Sequence, residues 1–277
     1  MSKLPLAQWI DAFVAWLNQF EGFFYAITNF LAAIVNAIQW VFDLLPIPLF
    51  IVVIVGGTWW VIRHSKRYGL LIFEFLGLLY IWNQGFWRDM TQTLTLVLTA
   101  SLIAIIIGVP LGIWAAKSRT VAMIVKPLMD FMQTMPAFVY LIPAVAFFGI
   151  GMVPGVVASV IFAMPPTVRM TQLGIHQVSD ELIEAADSFG ATPWQKLFKV
   201  QLPLAKSTIM AGINQSMMLA LSMVVIASMI GAMGLGTKVY FAVGRNDAGG
   251  GFAAGLAIVI VAIILDRVTQ ALNRNKV

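Results

Sequence analysis

Residues 94–114 read LTLVLTASLIAIIIGVPLGIW, a run without one charged side chain. About 20 mostly apolar residues form a helix long enough to cross a hydrocarbon core of roughly 30 Å. Inside that core the backbone has no water to bond, so such a run must close its own hydrogen bonds as a helix. The ten-residue alternating segments of a membrane β-barrel are absent. Working outward, the same criterion picks out 24–42, 44–62, 69–87, 128–150, 153–168, 208–230 and 253–269. The expectation is an all-α integral membrane protein with about eight transmembrane helices.

Composition supports this. Of 277 residues, 60% are hydrophobic and 10% charged, and the mean hydropathy is +0.91. Soluble domains carry roughly 25% charged residues, so a water-soluble globule of this size could not cover its surface. Disorder and nucleic-acid scaffolding fail on the same arithmetic. The absence of cysteine removes disulfides, thiolate metal sites and a Cys nucleophile. The net charge of +5 is spread between apolar runs and not gathered in a patch, which suits a membrane face and no nucleic-acid partner.

The basic residues set an orientation. Arg63, Lys66 and Arg67 follow the second run, and Lys117, Arg119 and Lys126 follow the fourth. Lys196 and Lys199 lie in the polar stretch from Arg169 to Lys206, and Arg267, Arg274 and Lys276 end the chain. If eight spans alternate, all of these share one side, and the positive-inside rule makes it cytoplasmic, with both termini there. The opposite connections, around Pro46–Pro48, Asn83–Gln92, Gly151–Gly155 and Gly231–Gly251, hold few basic residues, Lys238 and Arg245 being exceptions. Residues 1–22 lack a signal-peptide pattern: Lys3 is the lone early cation and Asp11 interrupts the apolar stretch. Leu6, Trp9, Ile10, Phe13, Val14 and Leu17 recur at helical spacing opposite Gln8, Asp11 and Asn18, as in a helix lying in the headgroup layer. The other reading is an extension of the first span.

Enzymatic chemistry finds little support. Gly231 and Gly236 have P-loop glycine spacing, but Thr237-Lys238 follows in the wrong order. His64 and His176 have no neighbouring ligand set, so no metal site and no catalytic residue is expected. Glu74 is the one carboxylate well inside a run, costing about 3 kcal/mol there on insertion scales. It is either a proton or cation relay, or a neutral group bonded to a neighbouring helix such as the polar face at Asn29 and Asn36. Ala104, Gly108 and Gly112 repeat every four positions, a pattern that lets helices approach closely in lipid. Thr208, Gly212, Gln215 and Ser222 form a stripe on the seventh run, with Asn214 beside it; packing and pore lining both fit.

The segment between the sixth and seventh runs carries the most information. It reads Glu184-Ala185-Ala186, three residues, Gly190, nine residues, then Val200-Gln201-Leu202-Pro203. Ser179 or Asp180 can cap a short helix through Leu182–Ser188, with acids at its positive end. Ala185 and Ala186 leave a low surface that seats in a groove, Gly190 permits the positive φ of a turn, and Leu202-Pro203 lead back to the membrane.

This pattern is similar to the EAA motif of bacterial ABC-importer permeases, with Val200 where Ile is usual. The wider chain resembles the permease subunit of glycine betaine/proline importers of the ProU/Opu type. The likeness is carried by Gln133-Thr134-Met135-Pro136-Ala137-Phe138-Val139-Tyr140, Ala163-Met164-Pro165-Pro166-Thr167-Val168-Arg169-Met170 and Gly212-Ile213-Asn214-Gln215-Ser216, and runs from about Thr91 to Asp266. The resemblance implies a type I (MetI-like) core of five helices preceded by accessory helices. It divides the chain into an interfacial helix (1–22), accessory spans (23–90), a permease core (91–269) with coupling segment 169–206, and a basic tail (270–277).

The resemblance further implies a homodimeric pore in the bacterial cytoplasmic membrane. Two cytoplasmic ABC ATPase subunits would hold ATP and Mg, and a separate extracytoplasmic binding protein is expected because the chain stops at Val277; this chain itself holds no cofactor. Glu184, Ala185, Ala186, Gly190, Leu202 and Pro203 are the implied coupling residues. Quaternary ammonium ligands favour aromatic surfaces, so Phe138, Tyr140, Phe147 and Phe148 are candidates near the path, with Phe138, Tyr140, Asn214, Gln215 and Ser222 as the candidate translocation set. Proline, carnitine and choline remain alternative solutes. An ion-coupled secondary transporter would need mid-membrane coupling groups or inverted repeats, and a membrane hydrolase would need an intramembrane Ser–His pair or paired acids; neither pattern is visible.

Overall fold

The computed structural model describes residues 5–62 and 68–274, which leaves Lys3, Arg63, His64, Lys66, Arg67 and Lys276 outside the described residues. All eight apolar runs fall on helices. In chain order these are α1 (Leu6–Asn18), α2 (Glu21–Asp43), α3 (Ile47–Ile62), α4 (Tyr68–Asn83), α5 (Trp87–Lys117), α6 (Arg119–Thr134), α7 (Leu141–Phe148) and α8 (Met152–His176). They continue with α9 (Asp180–Ser188), α10 (Pro193–Lys196), α11 (Leu202–Ser228), α12 (Leu235–Gly244) and α13 (Ala248–Arg274). Five stretches, α2, α5, α8, Pro193–Ser228 and α13, are each long and apolar enough to cross a bilayer, while α3 and α4 are shorter apolar helices.

The run at 128–150 is not one straight span. The helix begins earlier, at Arg119, so Arg119 and Lys126 are helical, and α6 meets the Ala137–Phe148 segment at 108°. Pro136 is the cause, because its ring pushes the preceding residue out of the helical region. Met135 accordingly sits at φ −68°, ψ 136°. A 3₁₀ turn at Ala137–Tyr140 then leads into α7. α6 buries Val125, Met129 and Met132 against Ala115 and Val168, and its Asp130 pairs with Arg169 of α8.

The Gly231–Gly251 connection carries a helix of its own. It contains α12, which buries Leu235, Gly236 and Ala242. The Leu235 N–H donates to Thr93 Oγ1 at 2.9 Å, and Lys238 lies 3.6 Å from Asp89. The final helix continues to Arg274, so the tail expected from 270 is a continuation of α13.

The centre of the bundle is α8, held between α5 and α11. Small residues let the backbones meet. A Cβ at Gly112 would lie 2.6 Å from the Val168 carbonyl oxygen, and one at Gly212 would lie 2.6 Å from Met170 Cβ. Between α8 and α11 the buried hydroxyls of Thr167 and Ser216 share a 2.7 Å hydrogen bond. Pro110, Pro165 and Pro166 all lie inside helices, which membrane helices tolerate where neighbours cover the freed carbonyls.

α2 behaves differently from the other long helices. Near its C-terminal end, Gln39 donates to Thr91 at 3.2 Å and accepts from Thr95 at 2.9 Å, both in the first turns of α5. Near its N-terminal end, Phe24 stacks on Phe147 with centroids 4.6 Å apart. Phe147 lies just before Gly151, whose N–H donates to the Ile230 carbonyl beyond the end of α11. The starts of α5 and α8 and the end of α11 share one end of the bundle, since Gly155 packs on Leu96 and Ala232. Both ends of α2 are thus tied to that end, and α2 runs across it rather than from one face to the other. α1 presents Trp9, Ile10, Phe13 and Trp16, each more than half exposed, on the surface leading into it.

Candidate functional site

At the opposite end of the bundle, α8 and α11 are joined by an elbow made of α9 and α10. Asp180 and Glu181 occupy the first turn of α9, where the helix dipole favours negative charge. Ser179 is the N-cap by position, but its side chain makes no capping hydrogen bond; its carbonyl accepts from Leu182 and Ile183 instead. No residue of α9 is buried. Glu184 and Ala185 face outward and Ala186 is half-buried, so the short alanine side chains leave a low, open surface.

The turn after α9 depends on Gly190. Its φ is +73°, a conformation costing L residues with a Cβ on the order of 1–2 kcal/mol. It closes the helix with two bonds, Gly190 N–H to the Asp187 carbonyl at 2.9 Å and Ala191 N–H to the Ala186 carbonyl at 3.0 Å. The chain then restarts at once. Thr192 and Gln195 form a reciprocal capping box with Pro193 at the first helical position. Lys196 reaches back to Asp187 at 2.6 Å, bracing α10 against α9.

Leu202 and Pro203 open α11, and the helical path runs into them from α10 without a break. A π turn at Leu197–Gln201 precedes them, with the Leu202 N–H donating to the Leu197 carbonyl five residues back. Proline has no N–H to donate and clashes with the carbonyl four residues earlier. The wider π turn moves that carbonyl aside, so Pro203 can be carried without a break. Gln201 is buried and accepts a hydrogen bond from Lys117 at the end of α5. Leu197, Ile175 and Ala205 form a small core beside it. The elbow is therefore fastened to α5, α8 and α11 together.

Sequence reasoning missed the aromatic surface here. Phe189 is 91% exposed and Trp194 70% exposed, and Trp194 stacks on Phe198 at 5.4 Å. Phe189 directly precedes the turn glycine, and an exposed apolar side chain beside such a turn was the available signal. Apolar surface gathered around a polar elbow is a mark of a partner site.

The candidate path residues do not gather in one place. Tyr140 is buried with Leu141, Ala144, Ala158 and Met223, and its hydroxyl donates to the Met132 carbonyl. Phe138, on the 3₁₀ turn, is 54% exposed. Gln215 and Ser222 are exposed on α11, and their seven-residue separation puts them on one helix face. Asn214 faces the other way, donating to Asp266 of α13 at 2.7 Å. Phe147 and Phe148 are taken up by contacts with Phe24 of α2.

Glu74 finds neither Asn29 nor Asn36; both are exposed, and α2 does not run beside α4. Its Oε1 accepts from Thr58 of α3 at 2.9 Å, while Oε2 is buried without a partner. With no second titratable group bonded to it, a neutral amide can keep the Thr58 contact. Glu74→Gln is expected to change stability by less than about 1 kcal/mol and to leave uptake near normal. Loss of uptake at normal membrane abundance would instead make Glu74 a relay.

Comparison with known proteins fits this geometry. Residues 108–276 match the family described as binding-protein-dependent transport system inner membrane component. The chain is 78% identical over 272 residues to the glycine betaine/carnitine transport permease protein GbuB of Listeria monocytogenes, covering 98% of this chain and 96% of that protein. It is 57% identical to the glycine betaine transport system permease protein OpuAB of Bacillus subtilis, covering 100% and 97%. An inward-facing structure of the MetNI methionine ABC transporter shares the fold with a TM-score of 0.62 at 22% identity, over 69% of this chain and 95% of that one. The chain belongs to the family of inner-membrane components of binding-protein-dependent transport systems: it is a multi-pass ABC-importer permease and not the ATPase.

Proposed function

We propose that this permease carries glycine betaine and related quaternary ammonium solutes into the cell, working as a homodimer in the bacterial cytoplasmic membrane. Two cytoplasmic ABC ATPases carrying ATP and Mg act on the α9–α10 elbow, and a separate extracytoplasmic binding protein delivers the solute. The observation that carries the reading is the elbow itself. Glu184, Ala185 and Ala186 offer an open seat, Gly190 sets its angle, and the run through Leu202 and Pro203 ties it to three core helices. Phe189, Trp194 and Phe198 add apolar area for the ATPase. Movement imposed on α9 passes through the Asp187–Lys196 pair to α10, then to α5 through Gln201–Lys117. Both packed arrangements of the core must differ in contact with the motor for ATP to bias them. In this reading the core covers 91–269, and Gln215, Ser222 and Phe138 line its open face.

The names of the relatives support betaine and carnitine as solutes. Reconstituted uptake with glycine betaine, carnitine, proline and choline, each with the cognate binding protein, tests the choice. Glycine betaine should be carried at least tenfold faster than proline; equal rates would remove the assignment.

The two ends of α2 being tied to the same end of the core argues for seven crossings, by α3, α4, α5, the α6–α7 pair, α8, α10–α11 and α13. The elbow and the carboxyl end are then cytoplasmic and the amino end is outside, in place of the inner amino end expected from eight alternating spans. The chain has no cysteine, so single-cysteine labelling is clean. Asn18→Cys is expected to react with an impermeant maleimide on intact cells, and Ser188→Cys only after lysis; the reverse pattern at Asn18 would restore eight crossings.

A further inference from the structure

A cavity of about 610 Å³ opens between the start of α2 and the end of α7, at the bundle end away from the elbow. Pockets that take small molecules enclose roughly 300–1,000 Å³. Its walls include Asn18, Glu21, Phe24, Tyr25, Phe147 and Phe148, and none of the path residues Phe138, Gln215 and Ser222. The transport reading leaves it unused. Three of its rings hold one another in place. Phe24 stacks on Phe147 with centroids 4.6 Å apart and planes 12° apart, and it meets Phe148 edge-on at 5.7 Å and 83°. Two aromatic walls therefore stand nearly at right angles, and the exposed Tyr25 ring lines the same cavity.

Two further observations give the cavity a sign. Glu21 is exposed and makes no ion pair or side-chain hydrogen bond among the described residues. No Lys or Arg is among the lining residues. Phe147 and Phe148 are also the last two residues of α7. The final carbonyls of a helix lack partners within it and carry its negative pole. A carboxylate, a negative helix pole and aromatic faces all attract a cation, and the first two repel a phosphate or a carboxylate. The aromatic walls narrow the class further. A compact, strongly hydrated cation gains most from a shell of oxygens, whereas a quaternary ammonium, with no N–H to satisfy, is held on ring faces.

We propose that this cavity is a quaternary ammonium site apart from the translocation path, with Glu21 as counter-ion and Phe24, Tyr25, Phe147 and Phe148 as its walls. Its placement outside the cell rests on the transport reading, which makes the elbow cytoplasmic; the class of ligand does not. The chain has no cysteine, so Asn18→Cys, on the cavity wall, reports on its occupancy. The full Asn18→Cys chain, purified in mild detergent without ATPase or binding protein, is reacted with a maleimide during titration with choline. Potassium chloride holds the ionic strength constant. Saturating choline should slow the reaction at least fivefold. Its neutral tert-butyl analogue, with carbon in place of the nitrogen, should slow it less than twofold at the same concentration. Adding Glu21→Gln should raise the half-protecting choline concentration at least tenfold, and Tyr25→Ala at least threefold. Both side chains are exposed, so neither change should disturb the fold. Ser188→Cys, at the far end of the bundle, should react at one rate throughout. No protection by choline, or equal protection by the neutral analogue, overturns the site. So does protection that survives both Glu21→Gln and Tyr25→Ala, or equal slowing at Ser188→Cys. Uptake is not the readout, so failure here is separate from failure of the transport assignment.

Discussion

Gly190→Val is expected to abolish ATP-driven uptake while the protein still inserts and accumulates normally. Gly190 holds φ +73° in the turn between α9 and α10, and a β-branched residue is a true outlier there. The space around it is open, with nothing within 4 Å of an added Cβ. The strain therefore comes from the backbone alone, on the order of 1–3 kcal/mol. The chain can relieve it only by leaving the left-handed region, which breaks the Ala191-to-Ala186 closure and swings α9 away from α10. The Asp187–Lys196 brace is lost with it. Because α9 buries nothing, the membrane core has no reason to unfold. Uptake in proteoliposomes should fall at least tenfold, and copurification with the ATPase should fall with it. Gly190→Asn, which reaches the left-handed region more readily, should retain a measurable rate. Coupled uptake at the normal rate by Gly190→Val would remove the elbow from the mechanism.

The elbow was legible because its signals are local. A turn glycine at fixed distance from a short acidic-ended helix and from Leu202-Pro203 needs no knowledge of distant packing. The helices were legible for a similar reason, since an apolar run in lipid has few alternatives to a helix. The bend at Met135–Pro136 was written in the sequence too, but averaging apolarity over 128–150 hides what Pro136 does to the residue before it. α12 was less accessible. At ten residues it is too short to read as a span, and its burial rests on Gly236, where an added Cβ would lie 2.4 Å from the Val224 carbonyl oxygen.

The course of α2 and the partner of Glu74 were closed to sequence reasoning for one shared reason. α2 has the length and apolarity of a span, and counting it as one places Asn29 and Asn36 alongside α4. Contacts made far along the chain, at Thr91, Thr95 and Phe147, lay it across the bundle end instead. Glu74 is left to the hairpin neighbour Thr58. The separation of Asn214 from Gln215 and Ser222 is of the same kind: adjacent residues on a helix point about 100° apart, and only the position of α13 decides which one it takes.

Gly112→Leu is expected to give the largest loss of folded protein. In lipid, helices gain nothing from hiding apolar surface from one another, so packing at small residues is itself the source of association. At Gly112 an added Cβ would meet the Val168 carbonyl oxygen at 2.6 Å and Thr171 Cβ at 2.7 Å. A carbonyl within a helix cannot rotate aside as a side-chain tip can. α5 and α8 must separate instead, and the Gln172 hydrogen bond to the Ala115 carbonyl and the neighbouring Gly108–Thr167 contact go with them. Overpacking against side chains costs about 1–3 kcal/mol; a helix-wide separation should exceed the upper end. Gly255→Leu on α13 is the matched control, because a Cβ there meets nothing within 4 Å. Thermal aggregation midpoints measured by fluorescence-detected gel filtration should fall by more than 10 °C for Gly112→Leu, on the order expected for such a loss, and stay near wild type for Gly255→Leu. Equal midpoints for the two would mean that α8 is not clamped by α5, and the elbow would then lack one of the three helices it is fastened to.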